Sequence, residues 1–143
     1  MPEPCTYDYA VIRVVPRVER AEFVNAGVIV SCPSLGLLEA RIEVDPARLR
    51  ALDPALDLEL VARHLATIPL ICAGGEAAGP IGRLAPRERF YWLTAPRSTI
   101  IQCSPVHTGQ CRAGEDVLER LLETMVRVPR AAAAGARPSG RST

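Results

Sequence analysis

Alternating apolar positions near the N-terminus predict extended chain. Tyr7, Tyr9 and Val11, followed by Val14 and Val15, favour a half-buried strand over residues 7–15, and Pro16 stops it. Residues 23–32 hold Val24, Val28, Ile29 and Val30 and predict a second strand, with Gly27 as a bulge or a point of close backbone approach. Pro33, Ser34 and Gly36 mark a turn, and residues 37–44 alternate well enough for a third strand. Three consecutive strands joined by short turns predict an antiparallel meander.

The period then changes from two to three and four. Asp45 before Pro46 is a capping acid followed by proline at the first helical position, so a short helix is expected to about Leu52. Leu58, Val61, Ala62, Leu65 and Ile68 form an apolar stripe that starts after the cap Asp57, with Pro69 weakening the helix near its end. Residues 73–82 contain four glycines and one proline and predict a loop. Residues 86–93 predict a helical turn with Phe90 and Leu93 facing inward, and 99–103 a short strand that Ser104 and Pro105 end. A last helix is expected over 115–128, with Val117, Leu118, Leu121, Leu122, Met125 and Val126 on its apolar face. The fold class expected is α+β: a three-strand meander plus a fourth short strand, packed against about three helices.

Length limits the organisation. With 143 residues, 48% of them apolar, the chain can bury one core and is too short for two ordinary domains. One domain is expected over 1–129. From Ala131 the chain holds no large apolar residue, so 130–143 is expected to be a disordered tail of Ala, Arg, Gly, Ser and Pro. No apolar run approaches the roughly 20 residues of a membrane span, and the N-terminus lacks the layout of a signal peptide. A cytoplasmic location without membrane contact is the resulting expectation. Five cysteines, an odd number, argue against a disulfide framework and for reduced thiols.

Charge changes this picture in one place. The formal net charge is +1, but three of the 17 arginines lie in the tail, leaving 14 against 16 acids over residues 1–129. A generally basic nucleic-acid binder is not indicated. Between Arg83 and Arg112, however, five arginines face the single acid Glu88, a field suited to an anion.

Three segments carry candidate chemistry. In the first, Glu19, Arg20, Glu22, Phe23, Asn25 and Gly27 lead into the second strand; Glu22 is a candidate acid or base and Asn25 a ligand-orienting group, against the plainer reading of a solvated turn. The glycines of 73–82 admit close backbone approach to a phosphate, but they match neither the Walker nor the dinucleotide pattern and suit a flexible connector. The third segment is the richest. Arg87, Arg89, Trp92, Arg97, Ser98, Gln102, Ser104 and His107 combine the only tryptophan, most of the local positive charge and one of two histidines, as recognition of a phosphate or planar group requires. The competing structural reading pairs Arg87 and Arg89 with Glu19, Glu22 or Glu88 and makes Trp92 a core anchor. Cys103, His107 and Cys111 are three evenly spaced ligand types without a fourth nearby, so no metal site is assigned, and no cofactor is expected.

Residues 7–16, residues 22–28 and residues 89–109, the last with Ala95-Pro96-Arg97-Ser98-Thr99 and Ser104-Pro105-Val106-His107-Thr108-Gly109, together resemble an uncharacterised bacterial family, domain of unknown function 3037. The resemblance spans about residues 7–128. It implies no established activity, and it associates the family with HipA-like kinases as neighbours. Three functions stay open. The first is a non-enzymatic accessory module that binds a protein partner, such as a HipA-like kinase, through Arg87, Arg89, Trp92 and Arg97. The second is an enzyme or sensor for a phosphorylated small molecule or nucleotide, with Arg89 and Arg97 holding the anion, His107 moving a proton and Glu22 as second titratable group. The third is direct nucleic-acid binding.

Overall fold

The computed structural model describes residues 5–112 and 114–129; the expected tail lies outside them. The meander forms as the alternation predicts. β1 (Cys5–Val14) pairs antiparallel with β2 (Val24–Cys32), which pairs antiparallel with β3 (Leu37–Ile42). β4 (Ile101–Cys103) and β5 (His107–Cys111) both pair with the other edge of β1, β4 against Ile12–Val14 and β5 against Cys5–Tyr9. The fourth strand position is therefore filled by two short strands laid end to end. Only the first was expected, because His107 to Cys111 alternates weakly and is largely exposed.

Ser104 sits at the break between them. Its backbone N–H donates to Val11 O at 2.8 Å, and its Oγ accepts from the Val11 N–H at 2.9 Å. The hydroxyl thus replaces a carbonyl in the ladder where Pro105, with no N–H of its own, interrupts it.

Gly27 lies where the register of β1 and β2 slips by one residue, between Ile12 and Arg13. The slip reverses the side-chain parity of β2. Val24 and Ala26 point to the same core as Ile29, while Val28, Val30 and Cys32 point to the opposite one. A Cβ at Gly27 would stand 2.5 Å from Arg41 O, so the close approach to β3 requires glycine.

Both faces of the sheet are covered. On one, α1 (Pro46–Leu52), α2 (Leu58–Ala73) and α3 (Pro86–Thr94) pack Leu49, Leu65 and Phe90 against Ile12, Val14 and Ile29. Asp45 and Asp57 cap the first two of these helices as expected, accepting from the N–H groups of Arg48 and Leu60. α2 buries Val61, Leu65, Ile68, Ile71 and Cys72, leaves Ala62 exposed, and continues past Pro69 to Ala73. The glycine-rich stretch expected to be a loop instead forms 3-10 turns over Glu76–Arg83, kinked at Gly79.

On the opposite face, α4 (Val117–Leu121) packs Leu118 and Leu121 against Val11, Val28 and Val30. The expected single α-helix widens over Leu122–Val126 into a π-turn, closed by the bond from Arg127 N–H to Leu122 O. One extra residue in that turn moves the inward position from Met125 to Val126. Met125 is accordingly exposed, and Val126 is buried. Two carbonyls at this end are satisfied from outside the helix: Met125 O accepts from Asn25 Nδ2 at 2.8 Å and Val126 O from Arg48 Nη1 at 3.0 Å. Among the described residues, no single helix is long and apolar enough to cross a membrane.

Candidate functional site

The arginines of α3 and the segment after it share a sequence neighbourhood and have different surroundings. Arg87 reaches across to the sheet, where Nη2 donates to Asp8 Oδ2 at 2.5 Å and Nη1 to Ser31 Oγ at 2.9 Å. Its Nε donates to Tyr91 OH at 3.1 Å. Asp8 also accepts from Thr108 Oγ1 at 2.7 Å, and the bonds from Arg87 and Thr108 hold its carboxyl below the ordinary aspartate range. The partner is thus an acid of β1, and none of Glu19, Glu22 and Glu88 is in that position; Glu88 instead accepts from the Ala85 N–H at the start of α3.

Arg89 is buried, and its donors face backbone carbonyls. Nη1 donates to Ile71 O and Cys72 O at 2.8 and 2.9 Å, and Nε to Leu84 O at 3.0 Å. These are carbonyls at the C-terminal end of α2 and in the segment before α3, where a cation is favoured by the unpaired acceptors and the helix dipole. The guanidinium lies against Gly74, where an added Cβ would fall 2.8 Å from Nη1.

Arg97 lies at the far end of α3. It donates to Leu93 O at 2.9 Å and Trp92 O at 2.7 Å, and its guanidinium carbon stands 4.6 Å from the centre of the Trp92 ring. No carboxylate lies within ion-pair distance of it among the described residues. Trp92 is 41% exposed, so it is not the core anchor of the structural reading. Phe90 and Leu93, on the other side of the same helix, are buried as expected.

Trp92 and Arg97 border a cleft of about 260 Å³ between α2, α3 and β4. Ile68, Ile71, Leu93 and Ile101 supply its apolar surface, and His64, Thr67, Thr99 and Gln102 add polar groups. Cys103 lines it too; burial raises its thiol pKa to about 11, against the opposing charges of Arg97 and Arg13. His64 was not among the expected site residues, because on the α2 stripe it reads only as a boundary position. Its proximity to Trp92 depends on the packing of two helices and leaves no local mark in the sequence.

The remaining candidates are dispersed. Gln102 lines the cleft and donates to Thr99 O at 2.8 Å, while Ser98 is exposed between α3 and β4. Ser104 completes the β1 ladder, and Asn25 holds the π-turn. His107 is exposed on β5, its ring 5.4 Å from that of Tyr9. Glu22 is exposed and pairs with Arg20 at 2.7 Å, a bond that lowers its carboxyl pKa. The cleft therefore gathers Trp92, Arg97 and Gln102, while His107 and Glu22 are not among its lining residues. Among the described residues, no group of three or more His, Cys, Asp or Glu side chains is placed to hold a metal ion.

A family model described as "Protein of unknown function (DUF3037)" matches residues 9–126. No curated protein and no solved structure matches the chain.

Proposed function

From the premise that the chain belongs to the DUF3037 family, we propose that it is a non-enzymatic interaction module, and that the cleft beside Trp92 and Arg97 receives an apolar side chain of a partner protein flanked by a carboxylate. The observation that carries this reading is the pairing of an apolar cleft with Arg97, which is half-buried against Trp92, donates to carbonyls at the end of α3 and has no carboxylate partner among the described residues, whereas Arg89 is buried. A volume of about 260 Å³ lies below the roughly 300–1,000 Å³ usual for small-molecule pockets. It suits a single anchoring side chain better than a nucleotide. Exposed Trp92 and Tyr91 on the outer side of α3 extend the contact surface, and Trp, Tyr and Arg are the residue types most enriched among interface hot spots.

The phosphorylated-ligand reading has weaker support. Arg89 is engaged by three carbonyls, and His107 and Glu22 lie outside the cleft lining. Direct nucleic-acid binding through the basic segment is weakened in the same way, since Arg87 is paired with Asp8.

A HipA-like kinase is the partner class to try first. The test is a native pull-down at low salt of the tagged full chain beside the Trp92→Ala, Arg97→Ala double variant, with mass spectrometry of retained proteins and small molecules. A protein retained by wild type and lost from a folded double variant is the expected result. Retention of the same proteins by both, or of a nucleotide or phosphorylated metabolite in place of a protein, overturns the proposal.

A further inference from the structure

Three of the five cysteines meet at one end of the sheet, on the face covered by α4. Cys5 opens β1, Cys111 closes β5 directly opposite it, and Cys32 closes β2 on the other side of β1. All three belong to the apolar cluster around Leu118, with Cys32 buried and the other two half-buried. The Sγ atoms of Cys5 and Cys32 are 3.4 Å apart. All three line a cavity of about 420 Å³, whose lining also includes Arg41 and Arg112 beside the acids Glu39, Glu115 and Asp116.

The two members of the close pair have different surroundings. Cys32 precedes the 3-10 turn Pro33–Leu35, and its Sγ lies 3.5 Å from Ser34 Oγ. Burial works against its thiolate, but the hydrogen bonds from Ser34, from Cys5 and from the backbone N–H groups of Leu35 and Ser34 outweigh it and lower its pKa. Thr6 O, also 3.5 Å away, is the acceptor for the Cys32 thiol when it is protonated. Cys5 has the reverse balance. Its hydrogen bond to Cys32, then burial and the Cys111 thiol, raise it to about 11.

We propose that Cys5 and Cys32 form a thiol pair oxidised to a disulfide by a hydroperoxide that enters this cavity, with Cys32 as the nucleophile and Cys5 as the resolving thiol. The Cys32 thiolate attacks the peroxide; an S–O bond forms, the O–O bond breaks, and the departing oxygen takes up a proton as water or an alcohol. Cys5 then loses its proton and attacks Cys32 Sγ. The S–S bond forms, the S–OH bond breaks, and water leaves. Two thiols supply two electrons to one peroxide, and the balance closes without another reductant. The sulfurs must approach from 3.4 Å to about 2.05 Å for the bond to form. Cys72 and Cys103 belong to the opposite core and act as internal controls; burial raises them to about 12 and about 11.

The test uses the reduced full chain, titrated with hydrogen peroxide, quenched with an alkylating agent under denaturing conditions and mapped by peptide mass spectrometry. The expected result is loss of the mass of two hydrogens, loss of two alkylatable thiols and a cross-linked peptide joining Cys5 to Cys32. In folded Cys5→Ser protein the cross-link is absent and a Cys32 sulfenic acid is trapped by dimedone. The wild-type map stands without any variant should that protein fail to fold. Five alkylatable thiols after peroxide treatment, or a cross-link from Cys111 in place of the Cys5–Cys32 bond, overturns the assignment.

Discussion

At the scale of single residues, chemistry suited to a ligand is repeatedly used on the chain's own backbone. Ser104 is the clearest case. Its Oγ accepts the buried Val11 N–H, which would otherwise face the gap between β4 and β5 without a partner. Ser104→Ala is expected to cost about 1–3 kcal/mol, the penalty for an unsatisfied buried donor. Urea unfolding of the two proteins checks it, and an unchanged midpoint would mean that another acceptor reaches Val11. Asn25 follows the same logic on the other face of the sheet, because the carbonyl it binds is one that the π-turn leaves available.

At the scale of elements, Arg89 links α2 to the start of α3 through three carbonyls that neither segment satisfies alone. A lysine carries the same charge but cannot present a planar fork to Ile71 O, Cys72 O and Leu84 O together. Arg89→Lys is therefore expected to lose about 1–3 kcal/mol and to leave those carbonyls short of donors. Hydrogen exchange focused on Ile71 to Leu84 locates the effect. Protection there equal to wild type would show that the charge suffices without the fork.

The elements also show what sequence pattern can carry. Asp45-Pro46 and the inward Phe90 and Leu93 were legible because a cap and a helical stripe are local signals. Gly27 was legible as a bulge or a point of close backbone approach, the usual reasons for glycine within a strand. β5 was not, since a short edge strand with exposed side chains needs little apolar alternation. The π-turn was hidden because Met125 and Val126 both suit an apolar face, and only packing decides which one turns in. Of the expected site residues, Trp92, Arg97 and Gln102 line the cleft, because they fall within one short stretch from α3 to β4. Arg89 and Asn25 instead donate to backbone carbonyls, at the end of α2 and before α3 for Arg89 and at Met125 for Asn25, acceptors that side-chain spacing does not reveal.

Across the whole molecule, Arg87 and Asp8 join a helix of one layer to the central strand of the sheet, with Ser31 and Thr108 completing the network. The depressed carboxyl of Asp8 sets the sign of the pH dependence. Its stabilising effect is fully present above the unfolded aspartate value of about 4 and is lost as pH falls through the lower folded value. With Arg87 about a third exposed, Arg87→Ala is expected to cost about 1–2 kcal/mol near neutral pH. The difference from wild type should narrow as pH falls below about 4. Thermal unfolding across that range tests the coupling, and a gap that stays constant with pH would remove Asp8 from the account.

The interruption at Ser104 and Pro105 also affects how the molecule meets copies of itself. A sheet edge with an unbroken row of N–H and C=O groups is a template on which another chain can add a strand and begin a fibril. The outer edge of β4 and β5 is two short runs of three and five residues with a proline between them. An incoming strand that matched the first run would meet Pro105, which offers no N–H, before it reached the second. The same hydroxyl that completes the ladder inward thus lets the chain carry a break that discourages aggregation outward.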